Sequence, residues 1–432
     1  MKYYSTNKNA PEVSLQEAVV KGLAPDNGLY MPETIKELPQ SFFENIGNMS
    51  FQEIAYTVAD AFFGEDIEPD TLRSIIYDTL NFDTPVVHVK DNIYSLELFH
   101  GPTLAFKDVG GRFMARLLGY FIKKQGQKDV KVLVATSGDT GSAVANGFLG
   151  VEGIHVYVLY PKGKVSQIQE CQFTTLGRNI TAIEIDGTFD DCQALVKTAF
   201  LDEDLNRKLN LTSANSINVA RFLPQAFYYF HAYAQLAKQG KAGNVVFSVP
   251  SGNFGNITAG LIAKRMGLPV KRFIAANNSN DIFYKYLQTG ECNPRPSVQT
   301  IANAMDVGNP SNFVRVLDLY GKSLNEVKRD ISGEWYNDDC IKKIVKATYD
   351  ETGYLLDPHG ACGYQALKDE LQPGETGVFL ETAHPAKFLE TVESIIGRQV
   401  AIPEKLQAFM KGKKQSVNMS KEFADFKQYL LK

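Results

Sequence analysis

One lysine in this sequence lies where amine chemistry is feasible. Lys107 follows Phe106 within residues 99–108, most of which are small or apolar. Gly101 and Pro102 indicate a turn, and apolar residues at helical spacing follow, so we expect Lys107 just ahead of a helix. Burial disfavours an ammonium ion, which lowers a lysine pKa and frees the amine to attack a carbonyl carbon. On this stretch alone, a surface lysine at the start of a helix is the commoner explanation.

Residues 251–256 have the composition of a phosphate-binding loop. This Ser-Gly-Asn-Phe-Gly-Asn stretch follows a strand expected at residues 244–249 and precedes a helix expected at residues 257–266. Such a turn presents free backbone N–H groups to an anion. It is not a P-loop, because no Lys-Ser or Lys-Thr follows, and the lack of GxGxxG disfavours a nicotinamide or flavin dinucleotide. Glycines that only permit close packing explain the loop equally well.

Residues 136–141 have a similar design, with the hydroxyls of Ser137 and Thr140 beside glycines. Backbone and hydroxyl donors of this kind suit a carboxylate. Asp139 would repel an anion. It therefore either caps a helix expected at residues 142–148 or faces a polar group of a cofactor.

A third candidate anion site lies in residues 215–221. Asn215 and Ser216 open this stretch, and Arg221 follows about one helical turn later. If Ser216 caps a helix, the three side chains can hold a phosphate through hydroxyl, amide and guanidinium donors. The spacing alone favours a solvated or salt-bridged arginine.

Together these stretches combine one lysine, a phosphate loop and a carboxylate loop, and we expect no metal site. This combination suggests a phosphorylated aldehyde cofactor bound to Lys107 as a Schiff base. Pyridoxal 5′-phosphate has that chemistry, and the protein would supply orientation and electrostatics.

Strands and helices alternate from about residue 86 onward and would position these residues. The expected strands include residues 130–135, 154–160, 180–185, 270–276 and 377–382. This alternation predicts an α/β fold with parallel sheets covered on both faces. In such sheets the loops at the carboxyl ends of the strands line up where ligands bind.

The predicted organisation has three parts. Residues 1–85 form a mainly helical accessory region, with helices expected at residues 51–63 and 69–80. Residues 86–235 form an α/β domain that carries Lys107 and the loop at residues 136–141. Residues 236–432 form an α/β domain that carries the phosphate loop and Thr382, and the segment from residue 416 is expected to be a surface helix.

The composition is that of an ordinary globular protein. The chain has 432 residues, 44% hydrophobic and 22% charged, with a formal net charge of −4, which argues against a nucleic-acid surface. Its five cysteines are widely spaced and lack a CxxC pair, which fits a reducing compartment. We see no signal peptide and no apolar stretch long enough to span a bilayer, so we expect a cytoplasmic protein.

Five motifs, in order, resemble those of threonine synthases, in the tryptophan-synthase-β-like group of pyridoxal-phosphate enzymes. They are His-Gly-Pro-Thr-Leu-Ala-Phe-Lys-Asp at residues 100–108, Thr-Ser-Gly-Asp-Thr-Gly at 136–141, Asn-Ser-Ile-Asn-Val-Ala-Arg at 215–221, Ser-Gly-Asn-Phe-Gly-Asn at 251–256 and Glu-Thr-Ala-His-Pro-Ala-Lys-Phe at 381–388. Residues 3–6 and 23–30 also resemble the longer, bacterial and fungal type. The resemblance covers essentially the whole chain and implies two open, mainly parallel-sheet α/β domains with the cofactor in the cleft between them.

The resemblance also implies roles for individual residues. Lys107 would carry the cofactor and shuttle protons, Thr382 would face the pyridine nitrogen, and Asp139 would lie near the cofactor's 3′-oxygen, where many relatives have asparagine. The backbone amides expected to hold the cofactor phosphate are those of Gly252, Asn253, Phe254, Gly255 and Asn256. The residues expected at the substrate are Ser137, Gly138 and Thr140 for its carboxylate and Asn215, Ser216 and Arg221 for its phosphate.

The implied reaction converts O-phospho-L-homoserine and water to L-threonine and phosphate by γ-elimination and β-addition, the last step of threonine biosynthesis. A threonine or serine dehydratase or a β-replacement synthase of the same group is the nearest alternative. A non-catalytic relative that binds phosphorylated metabolites is an alternative of another class. We expect a small-molecule substrate, no nucleic-acid or membrane partner, and a monomer or weak homo-oligomer.

Overall fold

The computed structural model describes residues 1–126 and 129–432. The strands, numbered in chain order, are β1 (Lys2–Ser5), β2 (Val13–Ser14), β3 (Tyr30–Pro32), β4 (Val86–Lys90), β5 (Ile93–Glu97), β6 (Val130–Ala135), β7 (Ile154–Pro161), β8 (Ile180–Ile185), β9 (Asn210–Ser213), β10 (Val245–Pro250), β11 (Val270–Asn277), β12 (Ile331–Trp335), β13 (Thr376–Glu381) and β14 (Val417–Met419).

The α-helices are α1 (Leu15–Lys21), α2 (Gln40–Asn45), α3 (Phe51–Phe63), α4 (Pro69–Thr79), α5 (Lys107–Gln125), α6 (Asp139–Phe148), α7 (Gln167–Thr174), α8 (Phe189–Leu201), α9 (Glu203–Lys208), α10 (Val219–Phe222), α11 (Ala226–Lys238), α12 (Gly255–Arg265), α13 (Ile282–Thr289), α14 (Phe313–Leu319), α15 (Leu324–Asp330), α16 (Asp338–Thr352), α17 (Pro358–Glu370), α18 (Leu389–Ile396), α19 (Glu404–Met410) and α20 (Phe423–Leu430). Short 3-10 helices lie at Ile46–Asn48, Leu223–Gln225, Asn303–Met305 and Pro385–Phe388.

The N-terminal region is mainly helical, as expected, and also contains a small antiparallel sheet in the order β2-β1-β3. Ser50 and Glu53 form a capping box that starts α3, which has the predicted bounds. The small sheet was not predicted, because strands of two to four residues are too short to show a period-two pattern.

Two larger sheets form the α/β body. One has five parallel strands in the order β14-β8-β7-β6-β9. The other has six strands in the order β12-β11-β10-β13-β5-β4, parallel except for β4, which pairs antiparallel with β5. The strands β6, β8 and β10 lie at or within one residue of their predicted bounds, because their apolar runs are buried on both faces.

Two segments of the chain join the sheet of the other half. Strands β4 and β5, which the prediction grouped with residues 86–235, pair through β13 with the later sheet. Strand β14, grouped with residues 236–432, pairs with β8 of the earlier sheet. The division of the α/β body at residue 235 therefore stays a proposal. Strands β4, β5 and β14 depart from it, because each pairs in the sheet of the other half. Residues 416–432 contain β14 as well as α20, so the expected single helix was wrong for their first part.

One apolar core joins the N-terminal region to the body. Phe63 of α3 packs against Phe113 of α5, with ring centroids 5.2 Å apart, and Phe113 packs against Phe227 of α11 at 5.9 Å. All three side chains are buried in the same hydrophobic cluster. Within the described ranges, no helix is long and apolar enough to cross a membrane.

Candidate active site

A cavity of about 390 Å³ opens where the sheets present the carboxyl ends of their strands. The loops in question follow β6, β9, β10 and β13 directly. The predicted site residues that line the cavity are Lys107, Thr140, Asn215, Ser216, Arg221, Gly252, Asn253, Phe254, Gly255, Asn256 and Thr382. Ser137, Gly138 and Asp139 belong to the same turn as Thr140 but are not among the lining residues.

Backbone pairing brings Lys107 and Thr382 to the same wall. The Phe106 N–H donates to the carbonyl of Thr382 at 2.8 Å, and Ala105 and Ala383 form an antiparallel bridge. Lys107 is the first residue of α5 rather than a residue ahead of it. Two motifs far apart in sequence thus meet through main-chain hydrogen bonds, whose geometry does not depend on the side chains.

The Lys107 amine is set up for chemistry near neutral pH. The surrounding protein desolvates the amine and lowers its pKa to about 8. The negative charge of Asp139 opposes this shift, whereas the positive charges of Arg221 and Lys387 reinforce it. Because a lower pKa leaves more of the amine unprotonated, Lys107 can act as a nucleophile and a base.

The loop at residues 251–256 has the geometry of an anion cradle. Phe254 has a φ of 65°, and this left-handed turn starts α12 at Gly255. A Cβ on Gly252 would lie 2.7 Å from the carbonyl oxygen of Ala304, so no larger residue fits without a shift. The first amides of α12 have no carbonyl partner within the helix and line the cavity, which fits a phosphate group.

Asp139 is the first residue of α6 and takes part in a buried ion pair. Lys387 Nζ lies 2.6 Å from Asp139 Oδ1, and Gln169 Nε2 donates to the same oxygen at 2.9 Å. Burial raises the pKa of Asp139, but the charges of Lys387 and Lys107 outweigh burial and hold that pKa below its usual value. Asp139 is therefore ionised at neutral pH.

Arg221 is a buried cation on the cavity wall. Its Nε donates to the carbonyl of Ala214 at 2.7 Å, and its Nη1 donates to the carbonyl of Lys107 at 3.2 Å. No carboxylate of the described residues lies within ion-pair distance of it, so the solvated or salt-bridged alternative was wrong. Burial lowers its pKa to about 10, which leaves the guanidinium charged and able to attract an anion.

Asn218, not Ser216, caps the helix that carries Arg221. The Asn218 side chain accepts from the Ala220 N–H at 3.0 Å, so the expected cap was displaced by two residues. Both side-chain ends of Asn215 bond to the backbone of Ala135, which fastens this loop to the end of β6. Ser216 lines the cavity, and its hydroxyl does not cap this helix.

Several residues at the cavity were missed in the sequence. His359 lines it, with Nδ1 2.5 Å from Asp357 Oδ1 and with Nε2 accepting from the Ala304 N–H at 3.1 Å. The Asp357 N–H in turn donates to buried Glu381, whose pKa is raised well above its usual value by burial. Asp357 and His359 are neighbours in the sequence, but their contacts with Glu381 and Ala304 form only in the folded chain.

The N-terminal region also reaches the cavity, through Leu23, Asn27 and Leu29. In the sequence, residues 23–30 carry the family resemblance but no pattern that predicts a place at the site. Among the described residues, no group of three or more His, Cys, Asp or Glu side chains could hold a metal ion.

Comparisons with known proteins relate the chain to one family. A family model described as "Pyridoxal-phosphate dependent enzyme" matches residues 78–382. Models described as "Threonine synthase N terminus" and "Threonine synthase, C-terminal" match residues 2–80 and 360–430. A threonine synthase of Haemophilus influenzae is 46% identical and covers 100% of both chains, and one of Saccharomyces cerevisiae is 36% identical over 91% of this chain and 89% of its own.

Solved structures confirm the predicted α/β fold. The crystal structure of threonine synthase from Escherichia coli is 43% identical, with a TM-score of 0.94, and covers 100% of this chain and 99% of its own. A PLP-bound threonine synthase from Brucella melitensis is 34% identical, with a TM-score of 0.91, over 100% and 98%. The chain belongs to the threonine synthase family of pyridoxal-phosphate-dependent enzymes.

Proposed function

We propose that this chain converts O-phospho-L-homoserine and water to L-threonine and phosphate, the last step of threonine biosynthesis. The observation that carries the proposal is the placement of Arg221, a buried arginine without a carboxylate partner in the described part of the chain. It lines the same cavity as the amine of Lys107 and the amides of the loop at residues 251–256. One cavity thus offers an amine and two separate sites for anions.

The residues present fit pyridoxal 5′-phosphate. We assign its phosphate to the amides of Gly252, Asn253, Phe254, Gly255 and Asn256. We assign its pyridine nitrogen to the hydroxyl of Thr382 and its 3′-oxygen to the neighbourhood of Asp139, with Lys107 as the residue that carries it. When bound, this cofactor withdraws electrons from the α-carbon of an amino acid.

Lys107 is proposed to move the protons of the reaction. A lysine with a pKa near 8 is partly unprotonated at neutral pH, so it can accept the substrate's α-proton and return protons later. Arg221 supports this role by holding the backbone of Lys107, because its Nη1 donates to the Lys107 carbonyl in the first turn of α5.

The substrate's two anionic ends are assigned to opposite loops. We place the carboxylate at Ser137, Gly138 and Thr140, of which Thr140 lines the cavity. The remaining anion site, at Asn215, Ser216 and Arg221, would hold the substrate phosphate as it departs. A buried guanidinium stabilises a leaving dianion more strongly than water does.

A dehydratase or β-replacement synthase has no use for the second anion site, and a non-catalytic relative has no use for a lysine of lowered pKa. The binding partner that we propose for the cavity is this small-molecule substrate. We further propose a cytoplasmic enzyme that is a monomer or a weak homo-oligomer.

The decisive experiment incubates the purified holoenzyme with O-phospho-L-homoserine and measures phosphate and L-threonine. Equal amounts of both support the proposal, whereas phosphate without threonine would leave only an eliminase. L-Serine and L-threonine serve as parallel substrates. Deamination of either one at a higher kcat/KM than that of the phosphorylated substrate would favour the dehydratase.

A further inference from the structure

Arg315 of α14 is a second buried arginine without a carboxylate partner among the residues that the structure describes. Its side chain is 0% exposed, and its guanidinium lies 4.0 Å from the ring centroid of Phe222. Removing a cation from water without a compensating anion is costly. We therefore asked which groups at the neighbouring cavity the Arg315 guanidinium contacts.

The hydrogen bonds of Arg315 hold one cavity loop in place. Its Nη1 donates to the carbonyl of Ser216 at 2.8 Å and its Nη2 to the carbonyl of Ile217 at 2.7 Å. Nη2 also donates to the carbonyl of Tyr30 at 2.9 Å, which ties this loop to the N-terminal region. Ser216 and Ile217 both line the cavity.

Arg315 also fixes the orientation of the Asn312 side chain. Arg315 Nη1 donates to Asn312 Oδ1 at 2.6 Å, and a guanidinium can only donate. The amide nitrogen of Asn312 must therefore face the other way, where it donates to Ser216 Oγ at 2.8 Å. Ser216 Oγ accepts this bond, and none of the described residues accepts its own hydrogen.

The end of this chain of hydrogen bonds, Ser216, belongs to one proposed anion site and adjoins the other. A Cβ on Gly255 would lie 3.0 Å from Ser216 Cβ, so Ser216 adjoins the start of α12. Ser216 also belongs to the loop that leads to Arg221. Ser216 is therefore a candidate hydroxyl donor to a phosphate at either place.

We propose that Arg315 and Asn312 are positioning residues that orient the Ser216 hydroxyl as a hydrogen-bond donor to a phosphate monoester in the cavity. The inference rests on the proposed function, which brings two such phosphates, one on the substrate and one on the cofactor. Both present the same chemistry to the hydroxyl, and the experiment separates them.

The test variant is Asn312→Asp, which keeps the shape of the side chain. Its carboxylate would accept from both Arg315 and Ser216, which turns the hydroxyl hydrogen away from the cavity and pairs the buried cation. We expect the inhibition constant of inorganic phosphate against the holoenzyme to rise about tenfold or more, because hydrogen bonds to charged groups are the stronger ones. The melting temperature should not fall.

Two arms identify the phosphate concerned. Inhibition by inorganic phosphate, together with the KM for O-phospho-L-homoserine, reports the substrate site. Retention of bound pyridoxal phosphate during repeated ultrafiltration, followed by absorbance, reports the cofactor site. Weakening in either arm supports the proposal and names the source. Unchanged values in both arms overturn it.

A double-mutant comparison excludes a merely structural role. Because Asn312 acts through the hydroxyl, Asn312→Asp combined with Ser216→Ala should be little worse than Ser216→Ala alone. The matched control is Asn309→Asp, which adds the same charge to the cavity wall. Its effect should add to that of Ser216→Ala. Additive effects for Asn312→Asp would contradict the proposal.

If Asn312→Asp does not fold, the single variant Ser216→Ala still tests the proposal. The Ser216 side chain is partly exposed, so its loss should leave the fold intact. Unaltered affinity of this variant for both phosphates would also overturn the proposal. If the wild-type enzyme makes no threonine, the proposed function fails, whereas cofactor retention, which needs no turnover, still decides whether Ser216 donates to a phosphate in the cavity.

Discussion

At the residue scale, Asp139 lies between two lysines with different surroundings. Lys387 is completely buried and donates both to Asp139 and to the carbonyl of Thr103, at 2.9 Å. Lys107 lines the cavity and senses the same carboxylate through space. Lys387 thus forms the ion pair with Asp139, whereas Lys107 has no carboxylate at ion-pair distance among the described residues.

We predict that Lys107→Ala lowers threonine formation by about 10²–10⁴-fold, the usual contribution of a positioned acid or base. The measurement is the rate of product release with added cofactor, and the control is Lys285→Ala on the exposed side of α13. A Lys107→Ala variant with more than a tenth of the wild-type kcat would show that another group moves the protons.

Asp139→Asn should shift the pH dependence of kcat to lower pH. The substitution removes the charge that raises the pKa of Lys107 and leaves the repulsion from Lys387 and Arg221, so that pKa falls below about 8. The acid limb reports the loss of the free base and moves with this pKa. The profile is measured under substrate saturation.

The same substitution should destabilise the fold by about 3–5 kcal/mol, because it leaves the Lys387 ammonium buried without its partner. Combining it with Lys387→Met removes the unpaired charge and should restore much of the loss in urea unfolding. A double variant as unstable as Asp139→Asn would contradict the assignment of this ion pair.

At the scale of elements, the approach of two backbones explains the glycine at position 252 in the loop at residues 251–256. The segment at residues 304–305 passes so close to Gly252 that a Cβ would lie 2.9 Å from the Cα of Met305. The Ala304 N–H also donates to His359 Nε2 at 3.1 Å, which helps to hold this segment in place. The loop at residues 251–256 is therefore held in shape partly by the segment at residues 304–305, which is not part of its motif.

Gly252→Ala should accordingly weaken cofactor binding and cost about 1–3 kcal/mol of stability, the usual range for overpacking. Cofactor absorbance after dialysis and urea unfolding measure the two effects. Gly243→Ala is the matched control, because a Cβ there meets no atom within 4 Å. Equal behaviour of the two variants would contradict a steric requirement at Gly252.

At the scale of the whole molecule, the N-terminal region packs into the α/β body and helps to line the cavity. It contributes to the core through Phe63, to the cavity through Asn27, and to the cavity loop through the carbonyls of Val19 and Tyr30, which accept from Asn218 and Arg315. Such contacts bind the region to the body at several points. Its unfolding should therefore not be separable from that of the rest.

We expect Phe63→Ala to destabilise the whole chain by about 3–5 kcal/mol and to leave one unfolding transition. Far-ultraviolet circular dichroism and cofactor absorbance in urea should lose their signals together. Tyr77→Ala, at a side chain that is 43% exposed, should change little. An early transition that spares the cofactor signal would show that the N-terminal region unfolds by itself.

Sequence patterns were enough to predict the α/β class, most of the strands around the cavity and the family resemblance, which the comparisons confirm. These features are local: buried parallel strands are unbroken apolar runs, and each candidate loop follows such a run directly. Even the low pKa expected for Lys107 followed from its apolar neighbours.

Which groups surround those loops is visible only in the folded structure. The pairing of Lys387 with Asp139, the bonds of Arg315 to Ser216, and the group around His359 all join residues far apart in the chain. The entry of β5 and β14 into sheets of the other half is of the same kind. Local periodicity carries no information on such contacts, because they form only when packing and strand pairing choose among many distant partners.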